Sequence, residues 1–565
     1  MLARVFKVTA AAVVVLAGTS VGLAQVVLEG GPYDKAQPGV RHRATPPGGG
    51  VTDNLTAQVN VNGAGANIVG DAANEPSMAV DPTAPNRIAI GWRQFDTVTN
   101  NFRQAGRAYS RDGGRTWINP GPLTPGVFRS DPVLRCDNSG RLYYLSLTNT
   151  GPGGFSCQLF TSLDFGATFG AGVEALGGDK SWFTVDTTNS TGSGFIYQNW
   201  SIGGVASQAF TRSIDQGATW LLPTIVPLPV WGTQDYNAAG DLFIAGIPTA
   251  GSSTTTFQVA RSTNARNSAV TPTFTTASFP MGGNIVFSLT AGPNPGGLLG
   301  QASIAVDRSG GPRNGWIYVL CSVNPAGLDQ CDVMFQRSSD GGATWLASPI
   351  RVNNDPQGAN NYNWFGTMSV APNGRIDAVW NDTRESLNAT LSRTYYAFSN
   401  DGGTTWQGNS PITAQWNSTV GFPSQNKIGD YYDLWSDRVG AFLAMSATLN
   451  GEQDVYCIRI NGYDCNGNGV DDAIDISSGT SVDCNNNGIP DSCEFAAGVT
   501  VTCPCYANCD GSTTPPILTA NDFQCFLNSY AAGQSSANCD GSTTIPVLTA
   551  NDFQCFLNTY AAGCT

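Results

Sequence analysis

The sequence predicts an all-β chain folded as a β-propeller, with seven blades expected and six as the alternative, followed by small loop-and-helix modules. Three observations carry that reading. One octapeptide recurs: SRDGGRTW at Ser110, SLDFGATF at Ser162, SIDQGATW at Ser213, SSDGGATW at Ser338 and SNDGGTTW at Ser399, with a degenerate STNARNSA at Ser262. Successive starts are 52, 51, 49, 76 and 61 residues apart (162−110, 213−162, 262−213, 338−262, 399−338), the spacing of one blade of antiparallel strands. An apolar run that reads as an inner strand precedes each copy, and after residue 460 the composition turns abruptly to cysteine, Asn and Asp.

The chain opens with Arg4 and Lys7, a small apolar run from Val8 to Leu23, and Gly22-Leu23-Ala24 before Gln25. That pattern is a secretory signal peptide over residues 1–24, and it places the protein outside the cell or at its surface. Residues 25–55, with PPGGG and the sole histidine, His42, read as an exposed linker. A single imidazole in such a segment argues against Ser/His/Asp or Cys/His catalysis. No later run of about twenty apolar residues predicts a membrane span. A net charge of −14 opposes nucleic acid and anionic lipid as partners, and 67 glycines with only 12% charged residues suit a chain of many turns.

Residues 56–460 hold the propeller. In each octapeptide the Asp carboxylate can accept turn amides, the Gly supplies positive φ, and the closing Trp or Phe plugs the turn from below. Seven inner strands are read at Glu75, Asp131, Asp179, Gln234, Gln301, Asn363 and Lys427, against six turn positions. QVNVNG at Gln58 to Gly63 is the expected missing outer strand, closing the ring by joining its first and last segments. Cys136 with Cys157, and Cys321 with Cys331, are read as disulfides within blades.

The octapeptide S-x-D-x-G-x-x-W is the Asp-box or BNR repeat, and residues 56–460 resemble the sialidase-like Asp-box propellers. That resemblance implies three arginines, a Tyr nucleophile activated by Glu, and an Asp acid/base. PNRIAIGWRQF at Pro85 carries only a degenerate form of the first arginine motif. Candidate catalytic residues are Arg384, suited to bidentate carboxylate binding, and Asp430, Tyr431 and Tyr432, suited to acid/base or nucleophilic work. Candidate ligand-binding residues are Glu75, Arg93, Asp131, Asp179, Lys180, Asp235, Asp382 and Glu385, all on loops or inner-strand starts. The blander reading is that these groups bond neighbouring blades and seal the channel.

Residues 461–500 carry two twelve-residue loops, DCNGNGVDDAID and DCNNNGIPDSCE. Asp464, Asn466, Asn468, Asp472 and Asp475, then Asp483, Asn485, Asn487, Asp491 and Glu494, fall at loop positions 1, 3, 5, 9 and 12, with Gly at 6. That is calcium-ligand spacing, and the loops resemble thrombospondin type 3 or EF-hand-like repeats. Cys484 is read as paired with Cys493, and Cys457 with Cys465.

Residues 501–565 hold two near-identical units starting at Asn508 and Asn538, each a loop followed by a helix opened by a Thr-x-x-Asp capping box. The pair resembles a dockerin, which implies a cohesin-like or cell-surface docking partner. Asn508, Asp510 and Asp522, with Asn538, Asp540 and Asp552, are candidate calcium ligands here. Cys509 with Cys525, Cys539 with Cys555, and Cys505 with Cys564 are the expected bridges. The function expected from all this is a secreted propeller that binds a glycan or glycoprotein on its central face and is tethered by its tail. An exo-acting glycoside hydrolase of sialidase type, or a structural surface protein with the propeller as platform, are the alternatives.

Overall fold

The computed structural model describes residues 40–44 and 52–562, apart from 152–153, 202–208, 228, 250–252, 288–291, 387, 462–471, 484–488, 497–505, 511, 513–515, 517, 535–536, 541 and 543–545. The expected signal peptide, Cys505–Cys564, Cys465 and half of the ten ligands of the two calcium loops (Asp464, Asn466, Asn468, Asn485 and Asn487) lie outside these residues.

Residues 52–460 form seven antiparallel sheets in chain order, a seven-bladed propeller. Blade 1 runs Ala72–Val80, Ile88–Phe95 and Gln104–Ser110; blade 2 Arg129–Cys136, Leu142–Gly151, Gly154–Ser162 and Val173–Leu176. Blade 3 runs Trp182–Val185, Ile196–Asn199, Ala209–Ser213 and Thr224–Ile225; blade 4 Gln234–Tyr236, Leu242–Gly246, Thr256–Ser262 and Thr275–Pro280. Blade 5 has Ser303–Val306, Ile317–Pro325, Asp332–Ser338 and Ile350–Arg351; blade 6 has Asn363–Val370, Ile376–Asp382, Leu391–Ser399 and Gln407–Pro411. Blade 7, Asp433–Ser436, Ala441–Ala447 and Asp454–Ile460, is completed from the other end of the chain by Thr52–Gln58, on whose outer side Val40–Ala44 adds a further strand.

Ring closure by an N-terminal strand is as expected, but the strand is Thr52–Gln58, ahead of QVNVNG, and the segment read as a linker supplies most of it. His42 lies in the added strand, opposite Asn54. TDNLTAQ is mostly polar, so hydrophobic alternation did not reveal it; its pairing with Asp454–Ile460 supplies the backbone partners that define it.

The Asp-boxes sit between the third and fourth positions of their blades, where Asp340 Oδ1 accepts from the Thr344 amide at 2.8 Å and Oδ2 from its hydroxyl at 2.6 Å, while the Gly342 amide donates to Ser338 Oγ at 2.9 Å. The boxes at Asp112, Asp164, Asp215 and Asp401 repeat this. Those bonds hold the Asp340 and Asp401 carboxyls down at about 2. In the degenerate copy Asn264 stands in for Asp, accepting from Ser262 Oγ and the Thr273 amide. Trp117 is buried, and Trp220, Trp345, Trp406 and Phe169 pack onto the core between sheets.

A second device appears only in three dimensions: arginines from one blade donate to turn carbonyls of the next. Arg107 reaches Gly166 and Ala167, Arg261 reaches Gly341, and Arg337 reaches Gly402. Inner strands are also tied directly, the Leu134 amide to Ser77 Oγ, Val306 to Asp235 Oδ2 and Ser436 to Ser369 Oγ. These bonds satisfy backbone amides that face the neighbouring blade.

The cysteines correct one expectation. Cys136, Cys157, Cys321, Cys331 and Cys457 are free thiols. Cys136 pairs with Leu142 and Cys157 with Leu147, at opposite ends of one strand, too far apart to bridge. Cys321 pairs with Met334, which leaves Cys331 three residues away (334−331). Cys457 faces the core beside Ile88 and Trp117.

The second unit comprises the residues from Asn461 onward, with Arg438–Gly440. Short helices Asp472–Ser478 and Asp491–Ala496 begin in the two predicted loops. Helices Ala520–Ala531 and Ala550–Ala562 pack through Phe526 and Phe556, stacked at 4.1 Å, and Thr519 with Asp522 forms the expected capping box. Cys509–Cys525 and Cys539–Cys555 are disulfides as read. Cys493 is also disulfide-bonded; Cys484 lies outside the described residues.

Candidate functional site

Near the start of their inner strands, five of the blades carry a non-glycine residue with positive φ: Glu75 (51°), Asp131 (45°), Lys180 (58°), Trp231 (56°) and Phe365 (59°); in blade 7 it is Gly429 (101°). In blades 1, 2 and 6 a break in register accompanies it. Side chains tolerate this conformation at a cost of order 1–3 kcal/mol each, so the surroundings must hold it.

In blades 1, 2 and 3 those positions carry charge, in blade 7 Lys427 and Asp430 flank Gly429, and the charges meet. Arg93 Nη1 donates to Glu75 Oε1 at 2.6 Å, and Lys427 Nζ donates to the same oxygen at 3.0 Å and to Asp430 Oδ2 at 2.6 Å. Lys180 Nζ lies 2.7 Å from Asp430 Oδ2 and 3.9 Å from Asp179, and the Lys180 amide donates to Asp131 Oδ2 at 3.0 Å. Thus Glu75, Arg93, Asp131, Asp179 and Lys180, from the ligand-binding candidates, and Asp430, from the catalytic ones, meet here, and Lys427, which the sequence reading did not single out, links them. Lys427 stands three residues before Asp430 at the start of the seventh inner strand, the one signal that pointed to it.

Electrostatics follow from that packing. Burial opposes ionisation of Asp430 and Asp131, but Lys180 with Lys427, and Lys180 with Arg93, hold both carboxyls well below the usual range. Burial pushes Asp179 up to about 6, with Asp131 adding to the shift and Lys180 opposing it. Burial alone would lower the Lys180 ammonium; Asp179, Asp430 and Asp131 raise it instead.

The remaining candidates lie elsewhere. Tyr431 donates to the Pro132 carbonyl at 3.2 Å and packs against Trp182, and burial pushes its phenol up. Tyr432 donates to the Ser446 carbonyl at 2.6 Å and is likewise held neutral by burial. Arg384 pairs with Asp382 and Asp355 and stacks on Tyr395, while Glu385 accepts from the Tyr395 hydroxyl and pairs with Arg393. The structure therefore does not bring Arg384 or Glu385 onto the Lys180 network.

Below that network a cavity of about 320 Å³ follows the inner strands. Its wall carries Trp182, Phe365, Tyr431 and Trp435, with Gln234, Gln301, Thr184 and Thr367 between them. Inner strands run toward the Asp-box side, since the first and third strands of an antiparallel blade are parallel, and there Asn138 and Arg308 are exposed at the cavity's edge. Each charged group in the wall already has an opposite partner: Asp430 has Lys180, Asp433 has Arg135 at 2.9 Å, and Asp235 has Arg308 at 2.6 Å. Two uncharged groups lack theirs. Gln301 accepts the Trp182 indole N–H at 3.1 Å, which fixes its amide and leaves Nε2 buried without an acceptor. Gln234 donates to the carbonyls of Trp182 and Tyr197, which leaves Oε1 buried without a donor.

In the terminal pair, Asp522 accepts from the amides of Thr519 at 2.7 Å and Asp510 at 3.1 Å, and Asp552 accepts from Thr549 and Asp540 in the same way. Asn508 Oδ1 accepts from the Ser512 amide. Asp510 Oδ1 accepts from the same Ser512 amide, and the Asp510 and Asp522 side chains meet, as do those of Asp540 and Asp552, so the candidate oxygens of each loop lie close together while engaged by the backbone. Among the described residues no three His, Cys, Asp or Glu side chains are arranged to hold a metal ion. In the preceding loops Asp472 and Asp475 are described and buried, and the remaining ligands there are largely outside the described residues.

A scan against protein-family models found no match, and neither did a search of curated proteins. Among solved structures the chain is similar to a protein of unknown function from Dyadobacter fermentans, at 13% identity and TM-score 0.42, over 72% of this chain and 97% of that one. It is also similar to the phage phi92 endosialidase, at 10% identity and TM-score 0.39, over 72% and 69% of the two chains. A third similarity is to the Hadza microbial sialidase Hz136, at 11% identity and TM-score 0.37, over 69% and 66%.

Proposed function

We propose that this chain is a secreted carbohydrate-binding propeller of sialidase-like form, which takes a sugar residue in its axial cavity and is tethered through its C-terminal repeats. The observation that carries the reading is the pair Gln234 and Gln301: one buried unpaired acceptor and one buried unpaired donor in the wall of a cavity with aromatic sides. A sugar hydroxyl both donates and accepts, and its C–H faces pack on aromatic rings, so it matches both unpaired amide atoms once the Gln234 and Gln301 side chains turn to uncover them. Catalysis is disfavoured by the same geometry. Carboxylates at the cavity are neutralised by cations, and the two tyrosines are held as neutral phenols bonded to backbone carbonyls.

Tethering rests on the paired disulfide-closed helices, whose repetition offers a partner two equivalent surfaces. Calcium is proposed for the loops at Asp464–Asp475 and Asp483–Glu494, on their ligand spacing, and for the terminal pair at Asn508, Asp510 and Asp522 and at Asn538, Asp540 and Asp552, on the same ground.

The test is a glycan array on the full chain with a fluorogenic sialoside assay alongside. Retention of glycans, weakened about tenfold by Gln301→Leu, with no sialoside turnover, is the expected outcome; a lost buried hydrogen bond of about 1–1.5 kcal/mol gives that factor. Sialoside turnover abolished by Tyr431→Phe would replace the binding reading with an enzymatic one.

A further inference from the structure

The ring closes between Thr52–Gln58 and Asp454–Ile460, and the segment leading from that closure into blade 1 encloses three carboxylates. Asp71, Glu452 and Asp454 are respectively 4%, 0% and 0% exposed. Asn60 Nδ2 donates to both Asp71 Oδ2 at 3.3 Å and Asp454 Oδ1 at 2.5 Å, and its Oδ1 accepts from the Val455 amide at 3.0 Å. Glu452 accepts from Asn67 Nδ2 at 2.7 Å and the Gly70 amide at 2.9 Å. Asp71 Oδ1 is buried without any partner.

The outer edge of blade 5 shows what a balanced version of this arrangement looks like. There Asn353 takes the place of Asn60: its Oδ1 accepts from the Val333 amide at 2.8 Å and its Nδ2 donates to Asp332 at 2.8 Å and Asp355 at 2.6 Å. The amides of Val352 and Val59 donate to the carbonyls of Val333 and Val455 alike, each at 2.9 Å. Two residues before Asn353 stands Arg351, whose guanidinium contacts Asp329, Asp332 and Asp355. Two residues before Asn60 stands Gln58, which brings no charge and donates to Asn67.

We propose that Asp71 is protonated in the folded protein and that this proton takes the place of the guanidinium, making the ring closure a latch that loosens when Asp71 ionises in alkaline solution. A proton from solvent converts the partnerless Oδ1 into a donor and removes one of three buried negative charges. Titratable groups facing Asp71 are Asp454 and Glu452 from the hairpin of blade 7 and the Tyr456 phenol on the strand that follows; the segment from Asn60 to Gly70 contributes amides, and among the described residues no basic group is a leading contributor to its field. Burial first, then Asp454, pushes the Asp71 carboxyl up to about 9, with Asn60 opposing.

The sign follows. The unfolded chain releases this proton near the ordinary carboxylate value and the folded chain keeps it until about pH 9, so stability falls as pH rises across that interval. Asp179 contributes its own fall only up to about pH 6, and the thiols of Cys136, Cys157, Cys321, Cys331 and Cys457, whose ionisation burial pushes up, add theirs as the ordinary thiol range is reached, so the slope that belongs to Asp71 is the difference between the native protein and Asp71→Asn.

The experiment is thermal unfolding of the full chain from pH 6 to 10 with and without EDTA, for the native protein, Asp71→Asn and Asp71→Ala. It is paired with infrared difference spectra for a protonated carboxyl band and hydrogen exchange of residues 52–58. The proposal expects a melting temperature that declines from pH 6 to 9 whether or not EDTA is present, more steeply than in Asp71→Asn, and a carboxyl band lost in that variant. Slower exchange of 52–58 in Asp71→Asn than in the native protein at pH 9 would place the effect at the latch. A native melting temperature flat from pH 6 to 9, or no carboxyl band assignable to Asp71, overturns it. So does an EDTA-induced loss of stability that Asp71→Ala abolishes, since that makes the missing cation a metal ion.

Discussion

The closure between blades 7 and 1 and the junction between blades 5 and 6 are built on one hydrogen-bond frame and differ in a single charge. In both, an asparagine on the outer strand accepts the same backbone amide and holds two carboxylates with its Nδ2. At the junction, Arg351 is covalently part of the strand and answers three aspartates; at the closure, Gln58 occupies that place. The comparison teaches that the frame positions carboxylates without supplying their counter-charge. A buried carboxylate without a cation is costly enough that it takes a proton instead. The junction between blades 5 and 6 thus carries its counter-charge within the strand, whereas the junction that joins the two ends of the chain relies on a proton.

The most severe way to break the contrast is Arg351→Gln, which gives the junction the residue found at the closure. Asp329, Asp332 and Asp355 would lose their shared guanidinium while staying buried, and removing one partner of such a cluster costs about 3–5 kcal/mol. Denaturant unfolding at neutral pH should show that loss, together with a new decline of stability above neutrality as these carboxyls acquire protons. If stability changes by less than about 1 kcal/mol, the guanidinium is not the counter-charge that sets the two junctions apart.

A smaller effect is expected from the asparagines. Asn60→Leu and Asn353→Leu each strand a buried backbone amide, Val455 or Val333, and release two carboxylates from their shared donor. Each should cost about 1–3 kcal/mol, and Asn60→Leu should cost more, because no guanidinium remains there to separate Asp71 from Asp454. Equal losses in the two variants would mean that the surrounding charge does not matter to the frame.

Much of this architecture was legible in the sequence because it is written in local chemistry. Asp340 and Asp401 bond amides three or four residues away in their own turns, so the octapeptide reports its own structure, and its period then reports the blades. Even the degenerate box at Ser262 kept its frame through Asn264. The disulfides Cys509–Cys525 and Cys539–Cys555 were legible for the same reason, each closing one repeat. What escaped was whatever depends on strand register or on the next blade. Cys136 and Cys157 are close in sequence yet at opposite ends of a strand, and Arg107, Arg261 and Arg337 find their carbonyl partners on a neighbouring Asp-box. Glu75, Asp131, Asp179, Lys180 and Asp430 of the axial network were singled out because they stand at inner-strand starts, a position the pattern fixes, whereas Arg93 stands on the second strand of its blade. Their mutual neutralisation was not visible, since it depends on Lys427 reaching both Glu75 and Asp430. Nor could the sequence tell that Gln234 and Gln301 would each be left with one unsatisfied amide atom.

The smallest and most discriminating change is Gln58→Arg, which supplies the closure with the residue found at the junction. At pH 7 its expected effect on stability is slight, because the guanidinium must displace a proton that already neutralises Asp71, exchanging one counter-charge for another, while Gln58 gives up its bond to Asn67. At pH 10 the proton is gone in the native protein, and there the variant should be the more stable of the two. A one-unit change in the Asp71 carboxyl is equivalent to about 1.4 kcal/mol, so a guanidinium that returns it toward the ordinary range would remove most of the alkaline decline. The stabilities of the two proteins should therefore diverge progressively from about pH 7 to about pH 9, as the native protein declines and the variant does not, and keep a constant offset above that. A variant that is uniformly less stable by the same amount at every pH would show that the added side chain is merely overpacked, and that the two junctions do not share an interchangeable cation site.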